Sequence, residues 1–278
     1  MRSLIVQWHF DPWAAVLAAV MIYGYYVLFG LRLQRAAYFF WLALLVFLLA
    51  TCSPLHYVAM QGYLSAHMVA HILLLLICGP LLVFSLSDGE TWLSSEKVEL
   101  AEGAGSNRAM PWLRGVSAYL AGHSWVAWAT GIGIMWVWHI PFLLNASRGV
   151  MHGWSLLSLI HTGSLLVAGI VFSWPLFGPF LKDRMHPMSG ILYLGTACIS
   201  CSLMGLLLAF APPGIYGHYA GMAMSGTLRG LTAKQDMQAS GLIMWVPCCL
   251  VYLTGCFVLV FRWLKETGQG HRRTVNVQ

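Results

Sequence analysis

Two histidines in the stretch SAHMVAHILLLL combine residue types and a spacing that suit metal binding. His67 and His71 are four residues apart, so in a helix both imidazoles project from one face, about one turn apart. Two neutral imidazoles in this arrangement can hold one metal ion. Hydrogen-bonded core histidines can have the same spacing, but ionisable groups inside an apolar membrane helix are costly and usually serve a function. We therefore predict a metal site here.

Three more histidines lie in or beside other apolar segments, near the same end of the predicted membrane domain. His139, in WVWHIP, lies at the outer end of one segment, His152 precedes the next, and His161 lies about seven residues into it. At 1.5 Å of rise per residue, that is roughly 10 Å below the segment's outer end. We predict that His67, His71 and one or two of these three converge on one shallow intramembrane site.

Two further residues are candidates for the same site. Asp236 precedes the last apolar segment, where a carboxylate can bind the metal or orient a liganding imidazole, or serve as a helix cap. Cys52 stands four residues before His56 in CSPLH, where a thiol could receive or pass a soft ion. Imidazole, thiol and thioether ligands favour copper over magnesium or calcium. We expect Cu(I), although the residue types also fit zinc.

Other sulfur-bearing residues leave two interpretations open. Cys198 and Cys201 are three residues apart in one apolar segment, and they either pack as small apolar residues or belong to a metal path. Met222 and Met224, in a polar connection with His218, are either packing residues or ligands.

The elements that must position these residues are long apolar segments. Of the 278 residues, 59% are hydrophobic and 9% are charged, where soluble domains carry about 25% charged residues. Blocks of roughly 20 apolar residues can cross a bilayer as helices. We predict an all-α integral membrane protein, with one membrane domain over 1–278 that forms a seven-transmembrane helix bundle. The predicted helices are 12–31, 36–53, 65–86, 119–144, 154–178, 188–212 and 239–263, with a cytoplasmic linker at 87–118.

The basic residues predict the orientation of this bundle. Alternate connections carry eleven Lys and Arg residues in one set and four in the other. Because connections rich in basic residues stay in the cytoplasm, we predict the N-terminus outside and the C-terminus in the cytoplasm. The net charge of +6 is spread over short connections beside anionic lipid, so membrane lipid is an expected partner and nucleic acid is not.

The stretch SPLHYVAMQGYLSAHMVAHILLLLICGPLL resembles the signature of the polytopic CtaG-type assembly factors of caa3-type cytochrome c oxidases. WHIP, the His152 to His161 pair, FSWPLFG, PPGIYGHY and DMQASGLIMWVP also match in order, so the resemblance covers about residues 50–260. The sequence departs from the family pattern at His56, Ala70 and Met237. The resemblance implies importance for a set of polar residues: His67, His71, His139, His152, His161 and Asp236.

The same resemblance implies a non-enzymatic role. It implies a protein of the bacterial cytoplasmic membrane that delivers or inserts copper while a cytochrome c oxidase matures. An oxidase subunit would be the client, and an extracytoplasmic protein would be the copper donor.

Two other function classes remain open from the residues alone. A haem-binding electron-transfer or haem-handling protein also uses intramembrane histidines; His67 and His71 cannot ligate one haem iron from opposite sides, but His71 and His161 can. A copper transporter would use Cys198, Cys201 and Cys248 as stepping stones, although the sequence has no ATP-binding GK[ST] motif.

Overall fold

The apolar segments form helices that pack side by side. The computed structural model describes residues 8, 11–29, 37–86, 111–149, 156–212, 215–216 and 231–275. Within these ranges the chain is helical apart from short turns, and it contains no strand. The helices are α1 Pro12–Phe29, α2 Ala37–Cys52, α3 Pro54–Met60, α4 Leu64–Ser85, α5 Pro111–Gly122, α6 Ser124–Trp138, α7 Pro141–Gly149, α8 Leu156–Phe177, α9 Pro187–Phe210 and α10 Ala233–Val275.

Five helical stretches are long and apolar enough to cross a membrane. They are Ala37–Met60, Leu64–Ser85, Leu156–Phe177, Pro187–Phe210 and Ala233–Lys265, and a shorter apolar helix covers Pro12–Leu28. The prediction of an all-α, multi-pass membrane protein is therefore confirmed. The prediction of seven spans and of their orientation stays a prediction.

The predicted fourth span, 119–144, is divided in the structure. The chain turns at His123 between α5 and α6, and α6 ends at Trp138, three residues before Pro141. Proline lacks an amide hydrogen and disfavours helical backbone in the residue before it, so the helix ends and α7 begins at the proline. Residues 111–118 of the predicted linker belong to α5, and residues 87–110 lie outside the described ranges.

Glycines allow the backbones of α4 and α8 to touch. A Cβ atom on Gly79 would lie 2.4 Å from the carbonyl carbon of Gly169, and one on Gly169 would lie 2.5 Å from the oxygen of Leu75. Small residues at helix interfaces permit such close packing in membranes. Gly205 of α9 and Gly241 of α10 meet in the same way. These two contacts fix the helices that carry most of the polar residues in the core.

Contacts at two levels along each interface give the relative directions of the helices. The pairs α2–α4, α6–α8, α8–α9 and α9–α10 run antiparallel. The pairs α1–α8 and α4–α8 run parallel. Taken in chain order, α2, α4, α6, α8, α9 and α10 therefore alternate in direction, and α1 has the direction opposite to that of α2.

Helix α4 changes its hydrogen-bonding pattern directly after its second histidine. Leu64–Ile72 is α-helical, Leu73–Cys78 is a π-helix, and Gly79–Ser85 is α-helical again. Short π-helical segments inside α-helices are uncommon and frequently accompany functional sites.

Candidate metal-binding site

Three buried imidazoles meet between α4 and α8. The ligand nitrogens of His67, His71 and His161 all lie within 4.8 Å of one another, and each side chain is at most 4% exposed. The Nε2 atoms of His71 and His161 are 2.9 Å apart. Nitrogens bound about 2.0–2.1 Å from one ion would be roughly 3.3–3.6 Å apart in tetrahedral or trigonal geometry. Small side-chain adjustments would therefore allow all three nitrogens to bind one ion.

The fold explains why these three rings come together. His67 and His71 share a face of α4, and their ring centroids are 4.3 Å apart. On each of α4 and α8, a glycine follows a histidine by eight residues: Gly79 follows His71, and Gly169 follows His161. The glycines touch each other, as do the histidines. The parallel packing of the two helices thus sets the separation of the imidazoles.

His139 lies beside this cluster, at the end of α6. Its ring is perpendicular to that of His71, with centroids 5.2 Å apart. Its Nδ1 atom is 2.6 Å from the Met135 carbonyl oxygen, and its Nε2 atom is 3.1 Å from the Met68 sulfur. Because a carbonyl oxygen only accepts hydrogen bonds, Nδ1 carries the proton and, in the neutral ring, Nε2 carries a lone pair. The Nε2 lone pair of His139 and the soft thioether of Met68 therefore face each other at the edge of the cluster.

Neighbouring side chains hold His161 and His139 in place. Trp138 packs edge-on against the His161 ring at a centroid distance of 4.7 Å, and its Nε1 donates a hydrogen bond of 2.8 Å to Ser164. The Tyr216 hydroxyl donates a hydrogen bond of 2.9 Å to the His139 carbonyl oxygen. Burial raises the pKa of the Tyr216 phenol, which keeps this hydroxyl protonated and able to donate.

Three imidazoles thus meet inside a helical membrane protein. A comparison with protein families shows which family this protein is similar to. The family model of the cytochrome c oxidase caa3 assembly factor (Caa3_CtaG) matches residues 26–266. The chain belongs to this family. No curated protein and no solved structure matches the chain. The family match confirms the resemblance that the sequence motifs indicated. Membership of an oxidase assembly-factor family implies that the oxidase is the client.

Asp236 of this family member contacts the start of the histidine-bearing helix. Its carboxylate accepts hydrogen bonds from the backbone amides of Leu64, at 2.7 Å, and Ser65, at 3.3 Å, and from the Ser65 hydroxyl. A negative charge at a helix N-terminus is stabilising because it satisfies free amides and opposes the helix dipole. Asp236 is thus placed to hold α4, and with it His67 and His71, against α10. Its predicted role as metal ligand or imidazole partner stays a prediction.

One further predicted site residue is described by the structure, and the others are not. Cys52 is buried at the end of α2, with its sulfur 3.6 Å from the Thr51 hydroxyl, and it is not among the three residues whose ligand atoms converge. His152 lies outside the described residues, as do His218, Met222 and Met224. Their proposed participation stays a prediction.

Met68 and Ser65 are the residues of this site that the sequence did not reveal. A methionine inside an apolar helix is usually a packing residue, so only its contact with His139 distinguishes Met68. Ser65 follows the pattern of a polar residue in the first turn of a helix, but its partner is 171 residues away in sequence.

Proposed function

We propose that this assembly factor holds a copper ion, as Cu(I), at His67, His71 and His161 and passes it to a cytochrome c oxidase subunit during assembly. The observation that carries the proposal is the convergence of three buried imidazoles within 4.8 Å. Cytochrome c oxidases contain copper, and an assembly factor with a nitrogen-rich metal site fits the supply of that ion.

The chemistry of the donors supports Cu(I) over a divalent ion. All three ligands are neutral, so the site offers no negative charge to balance the ion. The cost of moving an ion from water into an apolar medium grows with the square of its charge, about four-fold from a monovalent to a divalent ion. Met68 contacts His139 beside the cluster. Its thioether is also a soft donor that suits Cu(I). Zinc is the competing ion, because three imidazoles suit it as well.

We further propose seven spans, with the N-terminus outside the cytoplasmic membrane of a bacterium and the C-terminus in the cytoplasm. The alternating helix directions support this count, since α1, α4, α8 and α10 run one way and α2, α6 and α9 run the other. The excess of basic residues in alternate connections supports the orientation. With this orientation, the three imidazoles lie near the outer ends of α4 and α8, where an extracytoplasmic donor could deliver copper.

The geometry speaks against a haem iron held between His71 and His161. Two axial nitrogens about 2.0–2.1 Å from one metal on opposite sides are roughly 4 Å apart, whereas these Nε2 atoms are 2.9 Å apart. Gly169 also brings α8 into backbone contact with α4 eight residues below the histidines. A porphyrin ring between the two imidazoles would require these helices to separate.

A deletion and complementation experiment tests the proposed function. Without this protein, we expect oxidase polypeptides to be made but to lack copper, with activity partly restored by excess external copper, since mass action can replace a carrier in part. His67→Ala combined with His71→Ala should behave like the deletion. His123→Ala is the matched control, because His123 is exposed and stacks on Tyr119 between α5 and α6. Oxidase that keeps its full copper but lacks haem would overturn the proposal in favour of haem handling.

A further inference from the structure

Four cysteines meet at the interface of α9 and α10, two of them buried and two half-buried. The sulfurs of Cys198 and Cys249 are 3.0 Å apart. Cys201 and Cys248 are a second pair of neighbouring thiols. The Cys201 sulfur also lies 3.7 Å from the Met135 sulfur of α6. Three helices thus contribute sulfur to one cluster.

The inner part of this cluster is fully buried. Cys201, Cys248 and Met135 are each at most 2% exposed. The Tyr252 hydroxyl lies 3.6 Å from the Cys201 sulfur. The backbone contact between Gly205 and Gly241 holds α9 and α10 close enough for their thiols to meet. Buried cysteines often act as small apolar residues, so the cluster alone does not define a ligand.

A cavity supplies the second observation. A small cavity is lined by His71, Met135, Met244 and Cys248, and its other lining residues are the aliphatic Ile72, Leu75, Leu76 and Leu165. His71 is a member of the imidazole cluster, and Cys248 and Met135 are members of the sulfur cluster. The cavity therefore lies between the two clusters, and three of its lining side chains, Met135, Met244 and Cys248, carry the sulfur that suits a soft monovalent ion.

We propose that Cys201, Cys248 and Met135 form a second Cu(I) site, deeper in the bundle than the imidazole site and joined to it by this cavity. Cu(I) binding by these sulfurs does not depend on the proposed function. The passage of Cu(I) from the imidazoles to the sulfurs does depend on it. Thiolate and thioether sulfurs are the soft ligands that Cu(I) prefers.

Charge balance defines the binding step. The Cys201 thiol loses its proton to solvent, and the resulting thiolate binds Cu(I) and neutralises its single charge. The Met135 thioether binds as a neutral donor, the Cys248 thiol keeps its proton and donates a hydrogen bond to the Cys201 thiolate, and no atom changes its oxidation state. A neutral complex is the form that costs least to bury in a membrane interior. One proton is therefore released for each ion bound at the sulfur site, whereas neutral imidazoles release none.

Copper binding by purified full-length protein tests the proposal. The protein, in detergent and under reducing conditions, is titrated with Cu(I) alone, and X-ray absorption at the copper edge distinguishes sulfur from nitrogen ligands. We expect about two ions in the unaltered protein. His67→Ala with His71→Ala should keep one sulfur-bound ion, whereas Cys201→Ser with Cys248→Ser should keep one nitrogen-bound ion. Cys78→Ser is the control, because this thiol contacts the Ala43 carbonyl oxygen of α2, away from the cluster.

Further variants keep the test decisive. If the Cys201 and Cys248 double serine variant does not fold, Met135→Leu serves instead, because it removes one sulfur at nearly constant volume. We expect it to weaken the sulfur-bound ion by about tenfold or more. Sulfur-bound copper that persists in the Cys201 and Cys248 variant, or that disappears only with Cys198→Ser and Cys249→Ser, would overturn the assignment. If the unaltered protein bound copper through sulfur but not through nitrogen, the imidazole site would be wrong and the sulfur site would stand.

Discussion

The Asp236 carboxylate accepts a hydrogen bond of 2.7 Å from the Leu64 amide, although 172 residues separate them. This contact joins the first turn of α10 to the first turn of α4, a few residues before His67. A cap of this kind orders the start of a helix, because the first amides have no partner within the helix. Asp236 therefore connects the last helix of the chain to the start of the helix that carries His67 and His71.

The first prediction concerns this cap. Asp236→Ala should destabilise the protein by about 1–2 kcal/mol, as the loss of a helix cap does, and should weaken Cu(I) binding without abolishing it. Thermal unfolding in detergent and Cu(I) competition titrations measure the two effects. Ser65→Ala removes one donor to the same carboxylate and should shift both quantities in the same direction by less.

Asp236→Asn removes only the charge of this side chain. Asp183→Asn is its control, because Asp183 lies in the turn Leu181–Asp183 between α8 and α9. A complete loss of copper binding in Asp236→Asn, with stability unchanged, would contradict the capping role. It would instead identify Asp236 as a ligand.

The second prediction concerns the close approach of α4 and α8. Gly169→Ala would place a Cβ atom 2.5 Å from the Leu75 oxygen, so the helices must move apart. Overpacking of this kind costs about 1–3 kcal/mol, and the same movement should separate His71 from His161 and weaken Cu(I) binding. Thermal unfolding and Cu(I) titration again provide the measurements.

Gly163→Ala is the matched control for Gly169→Ala. It lies on the same helix and closer to His161 in sequence, but its Cβ atom would meet nothing nearer than Leu17, at 4.0 Å. We expect it to leave stability and binding nearly unchanged. Equal effects of the two substitutions would show that helix contact at Gly169 does not set the imidazole geometry.

The helices could be predicted from the sequence because lipid imposes a simple rule on composition and length. Segments such as 65–86 and 154–178 correspond to α4 and α8 because roughly 20 apolar residues without charge have few alternatives to a membrane helix. The division near His123 was not foreseen, since the apolar composition continues through the turn. The π-helical segment Leu73–Cys78 also has no distinguishing pattern, because six apolar residues suit an α-helix equally well.

The site was predictable only where its geometry is local. The pairing of His67 with His71 follows from their spacing along one helix. The partner of His139 did not follow, because the Met68 sulfur reaches it from another helix. Cys201 was considered with Cys198 on α9, but its inner partners, Cys248 and Met135, come from α10 and α6. Contacts between helices depend on packing directions that a single sequence does not specify.

The third prediction tests the proposed topology. Reporter fusions after Gly62 and after His218 should give external signals, and fusions after Glu102 and at Gln278 should give cytoplasmic signals. These four positions lie in connections or at the terminus of the proposed seven-span arrangement, and the basic residues bias the second pair towards the cytoplasm. A cytoplasmic signal after Gly62 would place the imidazole cluster at the inner face and remove the proposed route from an external donor.

The last prediction concerns the thioether that faces His139. Met68→Leu keeps nearly the same volume, so it should cost less than about 1.5 kcal/mol of stability, while it removes the sulfur that lies 3.1 Å from Nε2 of His139. Because thioethers are soft donors, the substitution should weaken Cu(I) binding at the imidazole site and leave Zn²⁺ binding unchanged. Competition titrations with each ion measure the difference. Met204→Leu on α9, another buried methionine, controls for the loss of a thioether from the core. If Met68→Leu weakens the two ions equally, the sulfur acts only through packing, and the preference for Cu(I) must come from the neutral imidazoles alone.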